Sequence, residues 1–354
     1  MKKDITTIIL STLFSMSLLV VNAFSQESSR AGTTTANFLE IGFGSAGNAM
    51  GDAYVSVAKD ISSIYWNPAG LGYMENNQFQ VMLQPWLVDI NTSFVGIGFV
   101  HPEIGNFAVG LIHVGYGKEK VTTVESQNGT GEYFDGSDIS FSLSYGKRLV
   151  DWFSFGASVK YVSSRIWHET ASAVAVDLGA VVNTKFLSHS DKPGDGLTLG
   201  MSISNYGTKM TYDGIDLKRT EDISDDNGNY EYIPTRFELD SWELPLIFRL
   251  GVSVYPLMMG NHKVLLAVDA LHPNNNSEHI NIGGEYELTL PTYGVVHFRA
   301  GYKGMFMENS EYGLSLGAGI EIYYVGNNTI GIDYGYRSLG LLGDTHSYTF
   351  TIYF

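Results

Sequence analysis

From residue 77 to the end of the chain, stretches of roughly ten residues alternate between large apolar side chains and small or polar ones. Ile139, Phe141, Leu143 and Tyr145 are separated by Ser140, Ser142 and Ser144. Phe153, Phe155, Ala157, Val159 and Tyr161 are separated by Ser154, Gly156, Ser158 and Lys160. Successive side chains of a strand point to opposite faces, so this period of two predicts strands with one apolar face. Such segments fall near 77–88, 92–101, 106–116, 132–148, 152–164, 171–185, 196–206, 244–256, 262–271, 279–290, 294–304, 312–325, 328–338 and 345–354.

These are fourteen strands, an even number, as single-chain bacterial membrane barrels require. The gaps alternate in length. Those after even strands are short, such as 102–105 and 149–151, with 186–195 as the one long exception. Those after odd strands include 117–131 and 207–243. Barrels of the outer membrane have short periplasmic turns and longer outside loops, so the first strand is expected to run outward.

Asp177, Arg249, Asp269, Glu285, Glu287, Arg299, Lys303, Glu321, Asp333 and Arg337 all fall on the face opposite the larger apolar residues. That face should line a wet or plugged lumen, because a charge facing lipid costs about 2–4 kcal/mol at mid-bilayer. A soluble β-sandwich would alternate too, but its outer face should carry more charge than this. The fold class expected is therefore all-β, a fourteen-stranded antiparallel transmembrane β-barrel occupying residues 76–354.

The two ends of the sequence agree with export to an outer membrane. Lys2 and Lys3 precede an apolar run from Ile8 to Val21, and Ala23 and Ser25 supply small residues before Gln26, so residues 1–25 read as a secretory signal peptide. The last strand sets Tyr348, Phe350, Ile352 and Phe354 against Ser347, Thr349, Thr351 and Tyr353. An amphipathic terminal strand ending in Phe resembles the signal by which outer-membrane proteins reach their insertion machinery. The localisation expected is the outer membrane of a Gram-negative bacterium.

Composition removes several alternatives. The chain has no cysteine, which leaves no lipoprotein anchor, disulfide or thiolate ligand. After the leader, no apolar run approaches the roughly 18 residues that a membrane-spanning helix needs. A formal charge of −16 makes nucleic acid an implausible partner, because binding it requires a basic surface. Forty Gly, 22 Tyr, 19 Phe and only 9 Pro favour strands and tight turns.

Residues 36–74 do not alternate. They contain a small-residue stretch through Gly44, Gly47 and Gly51-Asp52-Ala53, a helix-like run through Val57-Ala58-Lys59-Asp60, and the turn Trp66-Asn67-Pro68-Ala69-Gly70. Pro68 fixes its own φ and pushes Asn67 out of the helical region, so a sharp turn is expected there on local grounds alone. The Gly-Asp-Ala and Trp-Asn-Pro-Ala pattern resembles the N-terminal hatch of the long-chain fatty-acid transporter (FadL) superfamily, most closely its PorV/PorQ-like branch. The resemblance implies a hatch over residues 26–75 that plugs the barrel from the periplasmic side. It assigns Gly51, Asp52, Asn67, Pro68 and Ala69 to that hatch, as structural residues.

The resemblance also implies two functions of different classes. One is an accessory of type IX secretion, a shuttle or attachment partner that binds the C-terminal domains of exported proteins and other secretion components through outer loops. The other is transport of hydrophobic small molecules, with Phe38, Leu39, Ile41 and Phe43 as candidate contacts beside the hatch.

The wide acidic loop 207–243 includes Asp222, Asp225 and Asp226, a candidate surface for a partner or a cation. Trp86, Trp152, Trp167 and Trp242 lie near strand ends, where aromatic belts form. No cofactor, metal site or catalytic residue is expected. Gly42 to Gly47 fits G-x-G-x-x-G without a surrounding βαβ unit, and Gly313-Leu314-Ser315-Leu316-Gly317 fits a nucleophile elbow but lies in an alternating strand.

Overall fold

The computed structural model describes residues 30–221, 232–324 and 328–354. The candidate residues Asp222, Asp225 and Asp226 and the leader 1–25 lie outside them. Fourteen strands form one closed antiparallel sheet: β1 (Gln78–Pro85), β2 (Asn91–Phe99), β3 (Asn106–Lys120), β4 (Tyr133–Val150), β5 (Phe153–Ile166), β6 (Glu169–Asn183) and β7 (Thr198–Gly207). The second half is β8 (Ile247–Met259), β9 (His262–Pro273), β10 (His279–Leu290), β11 (Gly294–Met305), β12 (Leu314–Tyr323), β13 (Thr329–Ser338) and β14 (Asp344–Tyr353). Each strand pairs with its neighbours in sequence, and β1 closes on β14 with Gln78 opposite Tyr353 and Leu83 opposite Tyr348. Closure leaves no edge, which a structure in lipid cannot tolerate.

Burial follows the alternation residue by residue. Ser140, Ser142 and Ser144 are buried while Ile139, Phe141 and Leu143 are exposed. Outward-facing Leu, Ile, Val, Phe and Tyr continue on every strand, from Val95 through Phe141, Val159, Leu250 and Phe298 to Phe350. An apolar surface of this extent is covered by membrane lipid. The barrel is an integral outer-membrane protein.

The inward faces are small: Gly, Ser, Ala and Thr dominate, interrupted by the charges expected there. Asp177, Arg249, Asp269, Arg299, Lys303 and Arg337 are all buried. Residues 36–74 run through the lumen and occupy much of it. This segment holds the short helices α1 (Ser45–Ala49) and α2 (Ser63–Trp66) and the 3₁₀ turns Asn37–Glu40 and Pro68–Tyr73.

One expectation needs correction. Val57-Ala58-Lys59-Asp60 is not helical; it forms a turn and an irregular stretch, because the flanking amides of Val55 and Ile61 bond to the wall side chains Asp269 and Gln78 instead of to preceding carbonyls of a helix. The segment runs the length of the lumen: it enters at the long-loop end, where Thr34 and Asn37 meet Asn275, and reaches the short-turn end, where the Tyr73 hydroxyl accepts from Asn183.

The described part of the wide loop is folded back on the barrel rather than free. Asp213–Gly214 pairs with the start of β6, Lys218–Glu221 forms a ribbon with Ile233–Arg236, and Met210 bridges Trp242. Thr34 bridges Glu243, which ties the inner segment to this loop.

Candidate functional site

The lumen is built to hold its segment at close range. Glycines face each other across adjacent strands at several places where the segment touches the wall: Gly146 opposite Gly156, Gly156 opposite Gly179, Gly200 opposite Gly251, and Gly283 opposite Gly301. A Cβ added at Gly156 would lie 2.2 Å from the carbonyl carbon of Pro68, and one at Gly179 would lie 2.0 Å from Asn67 Oδ1. A Cβ at Gly301 would lie 2.2 Å from the Met50 carbonyl carbon. No side chain fits at these places, so the backbone of the wall meets the inner segment directly.

Asn67 is the hub of the lower half. Its backbone is extended, as the following proline requires, and its side-chain oxygen caps the Pro68–Tyr73 turn by accepting from Ala69 N at 3.1 Å. Its Nδ2 donates to Val55 O at 2.9 Å and to Ala180 O on β6 at 3.2 Å. Ser154 on β5 donates to Ala69 O at 2.7 Å, and Asn106 on β3 donates to the Leu71 and Met74 carbonyls. Buried backbone groups in this turn are thereby satisfied from two strands, and Asn67 in return satisfies a carbonyl of a third.

Asp52 is the hub of the upper half. Gly51 and Asp52 both adopt left-handed backbone, at φ 63° and 64°, which Asp tolerates better than most residues. This turn after α1 aims the Asp52 carboxylate at β11 and β13. Arg337 donates to Oδ1, and Lys303 Nζ lies 2.7 Å from Oδ2. Arg337 also donates to Ile41 O and to Asn48, so one guanidinium gathers three parts of the segment. On β9, Asp269 accepts from Tyr54 N and Val55 N at 2.8 and 2.9 Å.

Between these hubs lies an aromatic cluster. Trp66 meets Tyr65 and Tyr54 edge-on at 4.8 and 6.0 Å, and Tyr65 meets Phe43 at 5.3 Å. Tyr65 donates to Leu39 O and accepts from Gly42 N, and burial pushes its hydroxyl well above the usual tyrosine range.

A cavity of about 670 Å³ opens at the long-loop end, lined by Phe38, Ile41, Trp86, Leu87, Ile90, Val114 and Leu342 with Glu40 at its side. Burial raises the Glu40 carboxyl above the ordinary carboxylate range. Around the cavity mouth, loop tips present apolar side chains to solvent: Val88 is 94% exposed, Leu341 92%, Phe306 67% and Leu342 58%.

The family described as Type IX secretion system protein PorV matches residues 24–241, well over half the chain. The chain belongs to the PorV family. No curated protein matches this PorV-family chain. Among solved structures it is similar to the Pseudomonas putida toluene transporter TodX, at 14% identity and a TM-score of 0.51, covering 88% of this chain and 97% of that one. It is also similar to the Ralstonia pickettii toluene transporter TbuX, at 12% identity and a TM-score of 0.53, with 88% and 97% covered. At such identities the likeness establishes the FadL-type barrel fold alone.

Within this PorV-family chain, Gly51, Asp52, Asn67, Pro68 and Ala69 all lie inside the barrel and contact its wall, but in two separate places, Gly51 and Asp52 in one and Asn67, Pro68 and Ala69 in the other. Phe38 and Ile41 line the cavity, whereas Leu39 and Phe43 are packed into the core. Trp86 turns inward to the cavity instead of joining an aromatic belt; Trp152 remains exposed beside the start of β5, and Trp242 is exposed in the wide loop, where it bridges Met210. The luminal charges of β9, β11 and β13 were legible as inward-facing, but their pairing with Asp52 and with the Tyr54 and Val55 amides was not. The glycines facing one another across adjacent strands carried a signal that sequence reading left unused.

Proposed function

We propose that this chain serves type IX secretion as an outer-membrane docking partner, receiving the C-terminal domains of exported proteins at its long-loop end. In this reading residues 1–25 direct export, the long loops face the cell exterior, and residues 26–75 act as a hatch that keeps the barrel shut.

The observation that carries the reading is the arc of apolar loop tips, Val88, Phe306, Leu341 and Leu342, above a lumen occupied by its own chain. These side chains lie in the loops that follow β1, β11 and β13 at the long-loop end. Apolar tips held in water around a concave mouth fit a protein partner. The filled lumen argues against an open pore, because Asn67, Asp52 and the facing glycines join the segment to strands all around the wall.

Family membership supports the secretion setting. Pull-down of the tagged chain from native membranes should recover exported proteins carrying such C-terminal domains together with secretion components; recovery of neither would refute the proposal.

A second reading, transport of hydrophobic small molecules, is favoured by the cavity beside Phe38 and Ile41 and by the toluene transporters that share the fold. It requires the segment to move. Normal uptake of long-chain fatty acids and aromatic hydrocarbons in a deletion strain would eliminate it.

A further inference from the structure

The lumen near the short turns holds a second cluster of charge that neither the hatch nor the cavity uses. On β10, Glu285 and Glu287 point inward; opposite them on β11 stand Arg299 and His297. One ligand atom from each of Glu285, Glu287 and His297 lies within 4.8 Å of the other two. His297 Nδ1 is 3.5 Å from Glu285 Oε2, and its Nε2 is 3.9 Å from Glu321 Oε1 on β12.

His297 is only 8% exposed, and both of its ring nitrogens lack a hydrogen-bond partner. A buried imidazole left unsatisfied at both nitrogens is costly unless something else binds it. Glu285 Oε2 takes the Arg299 guanidinium and Glu287 Oε1 takes Lys263, at 2.5 and 2.7 Å. The other oxygen of each carboxylate has no hydrogen-bond partner among the described residues.

Charge gives an independent reason to expect a cation. The groups joined here at ion-pair distance are four carboxylates, Glu285, Glu287, Glu321 and Asp333, and two permanent cations, Lys263 and Arg299. Even with a charged His297 the cluster has one carboxylate more than it has cations, in a largely enclosed place where unpaired charge is expensive.

We propose that Glu285, Glu287 and His297 form a binding site for one divalent transition-metal ion of the zinc class. Imidazole nitrogen with carboxylate oxygens is a donor set that zinc accepts, and the absence of thiolate excludes its softer competitors. His297 Nδ1 and one oxygen from each Glu bind the ion. The Nε2–H then faces Glu321, the carboxylate that commonly orients a metal-bound histidine. Donors around tetrahedral zinc lie roughly 3.4 Å apart, so side-chain rotations alone close the present spacing. The ion would clamp β10 to β11 near the short-turn end of the lumen. No metal site was expected from the sequence; these three residues are brought together only by strand register.

The test uses the full chain purified in detergent, stripped with a chelator and dialysed against Zn²⁺ alone. The expected result is a single zinc ion retained per chain, lost in His297→Gln and in Glu287→Gln. Glu321→Gln should weaken binding by roughly 10–100-fold. Heat-modifiable migration on gels reports whether each variant is folded. Should the variants not fold, Co²⁺ bound to the unaltered chain must show the absorption of a nitrogen and oxygen donor set. Retention of no zinc by the unaltered chain, undiminished binding in folded His297→Gln, or a Co²⁺ spectrum matching the hydrated ion would each overturn the proposal.

Discussion

Arg337 on β13 donates directly to the carboxylate of Asp52, a residue 285 positions earlier in the chain, and both are buried in the lumen. Lys303 shares that carboxylate from β11. A buried charge stripped of its partner is far more costly than the pair is beneficial. Asp52→Ala should therefore destabilise the folded barrel by about 3–5 kcal/mol, read as a lower midpoint of heat-modifiable migration. Asp52→Ala combined with Arg337→Met should lose less than the two single losses added, because the double variant leaves fewer unmatched charges.

The facing glycines make a steric prediction. Gly156→Val places atoms where the Pro68 carbonyl now sits, and the segment must retreat from β5 while the strand ladder survives. In planar bilayers the unaltered chain should show little steady conductance and Gly156→Val should show frequent openings. Gly194→Ala, which meets nothing within 4 Å, is the control and should behave as the unaltered chain. Equal conductance in all three would show that the segment does not seal the lumen.

Acidity should tighten the segment. Burial raises the Glu40 carboxyl above its ordinary value of 4.5 and the Asp60 carboxyl above 3.8, even though Ser62 donates to Asp60 twice. With folded values raised, the native chain binds protons more tightly than the unfolded one. The stability these groups withhold is present below the ordinary values and is lost as pH rises through the raised ones. Amide exchange at Gly42 and Ile61 should consequently be slower at about pH 4 than at about pH 7, after correction for intrinsic rates. Glu40→Gln with Asp60→Asn should flatten that dependence.

Much of the fold could be read from alternation alone, because each strand has one face in lipid and one against small or polar side chains. The Ile139–Tyr145 and Phe153–Tyr161 repeats survive in β4 and β5 without change. The inner segment was less legible. Its helices α1 and α2 are single turns held by the wall, so propensity could not locate them, and Val57–Asp60 was misread for the same reason. The site was hardest to read. Asp52 stands hundreds of residues from Lys303 and Arg337, and His297 meets Glu285 and Glu287 only through the β10–β11 register. Asn67 was the exception, since Pro68 dictates its extended backbone locally.

The central claim, docking of exported proteins at the long-loop end, is tested most directly by photo-crosslinking in cells. A crosslinking residue placed at Val88 or Leu341 should capture the C-terminal domains of exported proteins, and one placed at Trp152, at the short-turn end, should not. Capture at Trp152 alone, or at none of the three in a strain that is actively secreting, would contradict the account.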